Sequence, residues 1–430
     1  MRQGARIAAA VEVLDEILLR HRPAAESLAD WGKSHRFAGS GDRNAIGGLV
    51  YDALRRRASF AWAMEQDASR ALAIAAAPAA LGMTPEAVGA ACDGSEHALT
   101  PLSDTERAGL TRPLDAAPDH VRADVPEWLW PSFLAAFGDR AVEEGQRLAE
   151  RAPTDLRVNT LKATREKVLR ALADFRPEPT RLSPFGIRVP APVGSARTPN
   201  LHAEAAFQAG WFEVQDEGSQ IAALLAGAGP RLQVLDLCAG AGGKTLAMAA
   251  GMQNTGQIYA YDEDRLRLKP IFDRVKRAGV RNAQILRGGD RAALDRLGAR
   301  FDVVLVDAPC TGTGVWRRRP EAKWRLRPQS LEQRRIAQKA VMETASGLVK
   351  PGGCLTYVTC SLLPEENTAQ VAEFLATHAE FAIRPFADAW AGRIGGVPPV
   401  SADGRSDSLL LTPSSHGTDG FFVATLTRRA

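Results

Sequence analysis

Cysteine pairs at C-x-x-C spacing are missing from this sequence. Its five cysteines, Cys92, Cys238, Cys310, Cys354 and Cys360, stand apart, which argues against zinc-ribbon and thioredoxin chemistry, and no metal site is expected. Also missing is an apolar run of about 18 residues, the length that a membrane-spanning helix needs, so no membrane partner is expected. No signal-peptide core is seen. Ile7, Val11, Leu14 and Leu18 instead recur at helical spacing within a charged stretch, Met1 to Arg22, that stops at Pro23. An odd cysteine count without a secretion signal fits a reducing compartment, and a cytoplasmic, monomeric protein is expected. There is no internal repeat. The net charge of +4 over 430 residues is modest, so the clustering of the cations says more than their total.

What is present changes texture along the chain. The first 140 or so residues read as helical. A second helix is expected over Asp42 to Met64, with Ile46, Leu49, Val50 and Leu54 as its apolar face and Arg55, Arg56 and Arg57 closing it, where positive charge suits a helix C-terminus. Residues 72–120 are alanine-rich and Pro-punctuated and carry no functional signal. From Pro126 to Arg151 the aromatics Trp128, Trp130, Phe133 and Phe137 read as core rather than as a stacking platform. A small α+β module follows: strand Leu156 to Leu161, helix Arg165 to Ala173, strand Gly186 to Val189, then a loop near Pro190 to Pro199. From Leu232, strands at 232–237, 257–261, 283–286, 301–306 and 354–359 alternate with helices, which argues for a doubly wound parallel sheet. Residues 392–418 are expected as surface loop and Gly420 to Leu426 as a last strand.

Strand 232–237 runs into Cys238–Thr245, CAGAGGKT, and then into a helix. A strand, a glycine turn and a helix N-terminus make a nucleotide-type site. Three readings are open. A P-loop has Gly243, Lys244 and Thr245 but lacks its first glycine; a dinucleotide fingerprint has Gly240 and Gly242 but lacks its third; the S-adenosylmethionine loop of a class I methyltransferase requires only the glycine-rich turn. Asp262, after the second strand, is placed to accept ribose hydroxyls, and a carboxylate there disfavours phosphate. Asp290, after the third, either approaches the adenine or caps a helix at Arg291.

Two later strands end in cysteines: FDVVLVDAPCTGTG carries Asp307 and Cys310, and CLTYVTC ends at Cys360. Neighbouring parallel strands lie about 4.8 Å apart, so the two thiols are expected to face each other at the carboxyl edge of the sheet. Such a pair suits methylation of a pyrimidine at C5. A thiolate adds to C6, C5 becomes nucleophilic enough to take a methyl group, and a second thiol helps break the adduct. Asp307 is placed to stabilise the changing ring charge at N3.

VLDLCAGAGGKT, DAPCTGTG and YVTCSLLPEEN resemble the signature motifs of the Sun/Fmu-type RNA cytosine-5 methyltransferases, the RsmB-like family, and the likeness extends over LRVNTL, VQDEGSQ and DGFF. The resemblance implies an α/β class I methyltransferase domain over 206–430. It also implies a small RRM-like module over 146–205 and an all-α NusB-like RNA-binding domain over 1–145. It further implies Cys360 as nucleophile, Cys310 as the release residue and Asp307 at the base. The cofactor, S-adenosylmethionine, would be lined by Cys238, Ala239, Gly240, Ala241, Gly242, Gly243, Lys244, Asp262, Asp290 and Asp307. The family's loop usually reads CAAPGGKT; here Gly240 and Ala241 replace the Ala-Pro pair, which loosens the turn. The implied substrate is a cytosine in RNA, small-subunit ribosomal RNA first. For Arg55–Arg57, a solvated cap and an RNA contact are both open. Residues 316–339, with Trp316, Arg317, Arg318, Arg319, Lys323, Trp324 and Arg325, are expected to contact phosphates and stack on bases. A DNA cytosine methyltransferase, which uses the Pro-Cys of the fourth strand as nucleophile, and a noncatalytic assembly factor are the alternatives.

Overall fold

The computed structural model describes residues 1–192 and 199–430; most of the loop expected near Pro190 to Pro199 lies outside the described residues. The chain divides into two compact units. One comprises Met1–Ala152 with the distant segment Trp316–Leu326, and the other comprises Pro153–Pro190, Pro199–Val315 and Arg327–Ala430. Among the described residues no helix is long and apolar enough to cross a membrane.

The first unit is helical. Helices Gln3–Leu18, Ser40–Arg55 and Ser69–Leu81 bury Ile7, Leu14, Ile46, Leu49, Val50, Leu54 and Leu72 in one core. The alanine-rich stretch is part of it: Ala71, Ala73, Ala76, Ala77 and Ala80 are buried, and such small side chains let helices approach closely. The single helix expected over Asp42 to Met64 is in fact two, Ser40–Arg55 and Arg57–Met64. The cause is tertiary. The buried Asp124 accepts from Ser59 N at 3.0 Å and Ser59 Oγ at 2.8 Å, capping a new helix start from 65 residues away. Two of the three arginines at the break are committed to partners, while Arg56 is exposed. Arg55 pairs with Asp52 at 3.0 Å and donates to Arg317 O, and Arg57 pairs with Asp67 at 2.7 Å.

The segment Trp316–Leu326 departs from its expected role. Trp316 is 1% exposed and stacks on Phe133 with ring centroids 5.9 Å apart. Trp324 Nε1 donates to Leu54 O at 2.6 Å, and Lys323 Nζ donates to Arg55 O at 2.8 Å. Lys323 lies beside both indoles, 4.8 Å from the Trp324 ring centroid and 5.7 Å from that of Trp316. Trp316 and Lys323 therefore pack the helical unit and are not free to contact bases, while Trp324 is anchored by its indole N–H and half-buried. Arg318, Arg319, Arg327 and Arg334 are exposed.

The second unit holds twelve strands: β1 Thr154–Val158, β2 Glu178–Pro179, β3 Gly186–Val189, β4 Phe212–Val214, β5 Gln233–Asp236, β6 Gln257–Ala260, β7 Ala283–Ile285, β8 Phe301–Asp307, β9 Val349–Thr359, β10 Phe381–Arg384, β11 Leu409–Leu411 and β12 Phe421–Arg428. A small antiparallel sheet has the order β2-β3-β1-β4. With helix Arg165–Ala171 it buries Leu156, Val158, Val168, Ile187 and Phe212. The large sheet has the order β10-β12-β9-β8-β5-β6-β7, with β11 on β12. Its β9-β8-β5-β6-β7 part is parallel, and β12 returns antiparallel to β9. The chain order reverses between β5 and β8, the switch point at whose carboxyl edge such sheets bind ligands. The expected doubly wound α/β sheet is thus present. Strand β11, inside the stretch expected as surface loop, is a correction: Leu409, Leu410 and Leu411 are all buried. A three-residue apolar run between Ser, Gly and Pro shows no alternation to read.

Burial lowers the Lys323 ammonium pKa to about 8 from its ordinary 10.5. The folded state thus prefers the neutral amine and the unfolded state binds more protons between those values. Stability therefore rises with pH through that window. We expect wild-type stability to gain on that of Lys323→Met between pH 8 and 10, by on the order of 3 kcal/mol at most. Urea unfolding followed by tryptophan fluorescence measures it; parallel pH profiles for the two proteins would show that Lys323 titrates as in water.

Candidate active site

The glycine turn after β5 is shaped by close approach. Gly240 and Gly242 have φ of +50° and +83°, and a Cβ on Gly242 would lie 2.4 Å from Ile271 Cγ1. Ile271 is fully buried and cannot withdraw, so only glycine fits there. Helix Gly243–Gly251 then starts, and its first amides have no intrahelical acceptor.

Carboxylates surround this turn. Asp262 Oδ2 accepts from Gly240 N at 2.8 Å and its Oδ1 from Asp264 N at 2.9 Å. Asp262 therefore fixes the loop, and each oxygen keeps a second lone pair for a ligand hydroxyl. Asp236, at the end of β5, accepts from Thr245 Oγ1 at 2.6 Å, while its buried Oδ1 has no hydrogen-bond partner. Burial pushes its carboxyl pKa up to about 7. Lys244, which a P-loop would aim at phosphates, is 6% exposed and donates to Asp307 Oδ2 at 2.7 Å. With Lys244 neutralised by Asp307 and Asp262 adding a negative charge, the site would repel a triphosphate and suit a cation, so it fits S-adenosylmethionine and not the P-loop reading. Burial pushes the Cys238 thiol well up, so it stays protonated. Ala239 is buried behind the turn and Ala241 is half-buried in it. Asp290 caps helix Arg291–Asp295, accepting from Ala293 N at 2.9 Å; the capping reading of this residue is the one seen. Among the described residues no group of His, Cys, Asp or Glu is arranged to hold a metal.

The two cysteines meet. Strands β8 and β9 pair with Asp307 opposite Val358, and just beyond their ends Cys310 Sγ lies 3.4 Å from Cys360 Sγ. The hydrogen bond with Cys360, together with burial, raises the Cys310 thiol well above its ordinary value, so Cys310 keeps its proton. The turn carrying Cys310 is tied on both sides of the sulfur. Glu366 accepts from Thr311 N at 2.8 Å and from Thr311 Oγ1. Gln338 Nε2 donates to Glu366 Oε1 at 2.9 Å and to Pro309 O at 3.0 Å. Glu366 is fully buried, and burial raises its carboxyl above the usual range. Gly314 N donates to Cys360 O at 2.9 Å, and Gly314 O accepts from Gly420 N at 2.8 Å.

Residues 224–427 match the family model of the 16S rRNA methyltransferases RsmB/F, and residues 125–195 match the ferredoxin-like domain of RsmF/B-like methyltransferases. The ribosomal RNA small subunit methyltransferase B of Shewanella oneidensis is 31% identical over 317 residues, spanning 73% of this chain and 69% of that protein. The chain belongs to the RsmB/F methyltransferase family. The protein of the same name from Sodalis glossinidius is 35% identical over 293 residues, spanning 67% of this chain; the match covers about two thirds (66%) of that relative's own length. The crystal structure of PH0851 superposes with a TM-score of 0.73 at 26% identity, covering 99% of this chain and 98% of that one.

In this RsmB/F family member the DGFF and PEEN segments acquire physical roles that their spelling does not carry. A Cβ on Gly314 would lie 2.3 Å from Gly420 O, and one on Gly420 would lie 2.5 Å from Gly314 Cα. The two backbones cross in contact, which pins the turn after Cys310 to the start of β12. Glu366 and Gln338 were missed as site residues because only the tertiary fold brings them to Thr311 and Pro309; the sequence signal was the PEEN run itself. We expect Gly314→Ala and Gly420→Ala each to cost about 1–3 kcal/mol through overpacking. Because the two glycines touch, the double variant should lose less than the sum of the two. Urea midpoints test this, and losses under about 0.5 kcal/mol, the range of ordinary surface changes, would show that the crossing opens freely.

Proposed function

We propose that this protein methylates C5 of a cytosine in RNA, small-subunit ribosomal RNA being the substrate class that the relatives' names support. The observation that carries the reading is the pair of sulfurs 3.4 Å apart beside the Lys244–Asp307 ion pair. Cys360 is the nucleophile. Cys310, which keeps its proton, is placed to donate S–H to the Cys360 sulfur when Cys360 acts as the thiolate. That thiolate adds to C6, and the ring electrons move toward N3 and C5. N3 takes up a proton as the ring electrons move onto it, and the Asp307 carboxylate, a third exposed and held by Lys244, is placed to accept a hydrogen bond from that N3–H.

S-adenosylmethionine, when bound, supplies an electrophilic sulfonium methyl for C5. The turn Cys238 to Gly243, Asp262 and the unpartnered Oδ1 of Asp236 are the residues that would hold it; Asp290, whose Oδ1 is taken by the helix cap, would offer only Oδ2 to the adenine. After transfer the C5 proton leaves to a base, the C6–S bond breaks with its electron pair on the Cys360 sulfur, N3 gives up its proton, and the Cys310 S–H hydrogen-bonds the departing thiolate. Exposed Arg327 and Arg334, at the start and on the surface of helix Pro328–Ser346, are suited to phosphate contacts. We assign RNA binding to the helical residues 1–145, support to the module at 146–205 and catalysis to 206–430.

Replacing Cys310 by Ala should let the Cys360–cytosine adduct accumulate and survive denaturation. RNA crosslinked to the purified variant is then sequenced, and one cytosine should dominate. A Cys360→Ala variant should form no adduct and lose methyl transfer by about 10³-fold or more, as expected when a nucleophile acting in a unit is removed. If Cys310→Ser abolishes the adduct and Cys360→Ser does not, the two roles are reversed, as in the DNA enzymes. RNA bound without adduct or methyl transfer by the wild type would favour an assembly factor.

A further inference from the structure

Asp262 holds the glycine turn of the candidate cofactor site at Gly240 N, but the residues that follow have little restraint of their own. Ala241 stands between two glycines at positive φ, where no proline restricts the chain. An unbraced turn of this composition would sample many conformations before binding and lose affinity by having to order. Yet two of its carbonyl groups are gripped by guanidinium groups from elsewhere in the same unit. Arg274 Nη1 donates to Ala241 O at 2.8 Å, and Arg157 Nη1 donates to Gly243 O at 2.7 Å. Arg274 also places Nε and Nη2 on Glu213 Oε2 at 3.2 and 2.9 Å. Glu213, only 3% exposed, sits on β4 directly opposite Arg157 on β1, and its Oε1 accepts from Arg277 at 2.5 Å. Arg157 is 5% exposed and is held by Gln215 Oε1 at 2.5 Å.

We infer that Arg274 and Arg157, anchored by Glu213 on the small sheet, are positioning residues that lock the turn Gly240–Gly243 in its cofactor-binding conformation. The peptide plane that carries Gly243 O also carries Lys244 N–H, one of the helix's first amides. Fixing the carbonyl therefore fixes a donor at the ligand edge. The small sheet serves the cofactor site through this brace, whether or not it also touches RNA. Buried charges need partners to be retained: Glu213 pairs with Arg274 and Arg277, and Arg157 is held by Gln215 and the Gly243 carbonyl.

The inference rests on the S-adenosylmethionine reading, and the test separates the two. Binding of S-adenosylhomocysteine to the full chain is measured by calorimetry for wild type, Arg274→Met, Ala241→Pro and the double variant. Wild type that does not bind overturns the cofactor reading, and this inference with it. With wild type binding, Arg274→Met should weaken affinity about tenfold by removing preorganisation. It should raise KM for S-adenosylmethionine in step while kcat stays within about twofold. Ala241→Pro restricts the same turn through its own ring and should recover most of that loss without restoring the ion pair to Glu213, which a merely structural role for Arg274 would not allow. Should Arg274→Met fail to fold, Arg274→Lys carries the test. It keeps a cation opposite Glu213 but loses the fork that also reaches Ala241 O, and about a fivefold loss is expected. Affinity within twofold of wild type in the folded variant, or no recovery on adding Ala241→Pro, overturns the inference.

Discussion

In-register pairing of β8 with β9 is the constraint on which the site depends. Parallel strands hydrogen-bonded side by side deliver whatever follows them to the same edge of the sheet. Here that places the sulfurs of Cys310 and Cys360 in contact, although fifty residues separate them in sequence. Pairing alone would leave the turn after β8 free to swing. Glu366 and Gln338 remove that freedom by taking the backbone on either side of Cys310. The Gly314–Gly420 crossing removes it again from the far side. Each restraint uses a buried polar group whose partners are backbone atoms, the kind of contact that is expensive to leave unmade.

Charge decides what the neighbouring turn can bind. Lysine in a GGKT run is ordinarily a phosphate ligand, but Lys244 is committed to Asp307 and enclosed. Asp262 adds negative character on the other side, and Asp236, whose carboxyl burial raises to about 7, would ionise more readily beside a cation. A cationic sulfonium ligand is compatible with such surroundings and a polyphosphate is not. The same logic of paired burial recurs behind the turn, where Glu213 pairs with Arg274 and Arg277 and lies opposite Arg157. The two faces of the turn thus differ in sign: carboxylates near the ligand edge, guanidinium groups on the carbonyls behind.

Much of this was legible in the residues. The continuous apolar run Val303–Val306 announced a strand covered on both faces, and the glycine turn after β5 announced a ligand site, because backbone sterics and hydrophobic burial are local and periodic. The break at Arg56 was not legible, since its cause, the Asp124 carboxylate, comes from another part of the chain. Nor was the fate of residues 316–326. Their Trp, Arg and Lys content reads as a surface for phosphate contact and base stacking. The structure encloses Trp316 and Lys323 in the helical unit, and composition carries no sign of which surface a side chain meets.

The sequence by itself determined the doubly wound sheet, the residue types at its carboxyl edge and the family to which the chain belongs. Those follow from periodicity, from glycine at turns and from the reactivity of thiols and carboxylates. Tertiary structure alone decided that the thiols touch, that Lys244 is closed to phosphate, that Glu366 and Gln338 steady the cysteine turn and that Arg157 and Arg274 brace the glycine turn. Contacts between residues tens to hundreds of positions apart depend on strand order and register. Neither is written in any single stretch of the chain.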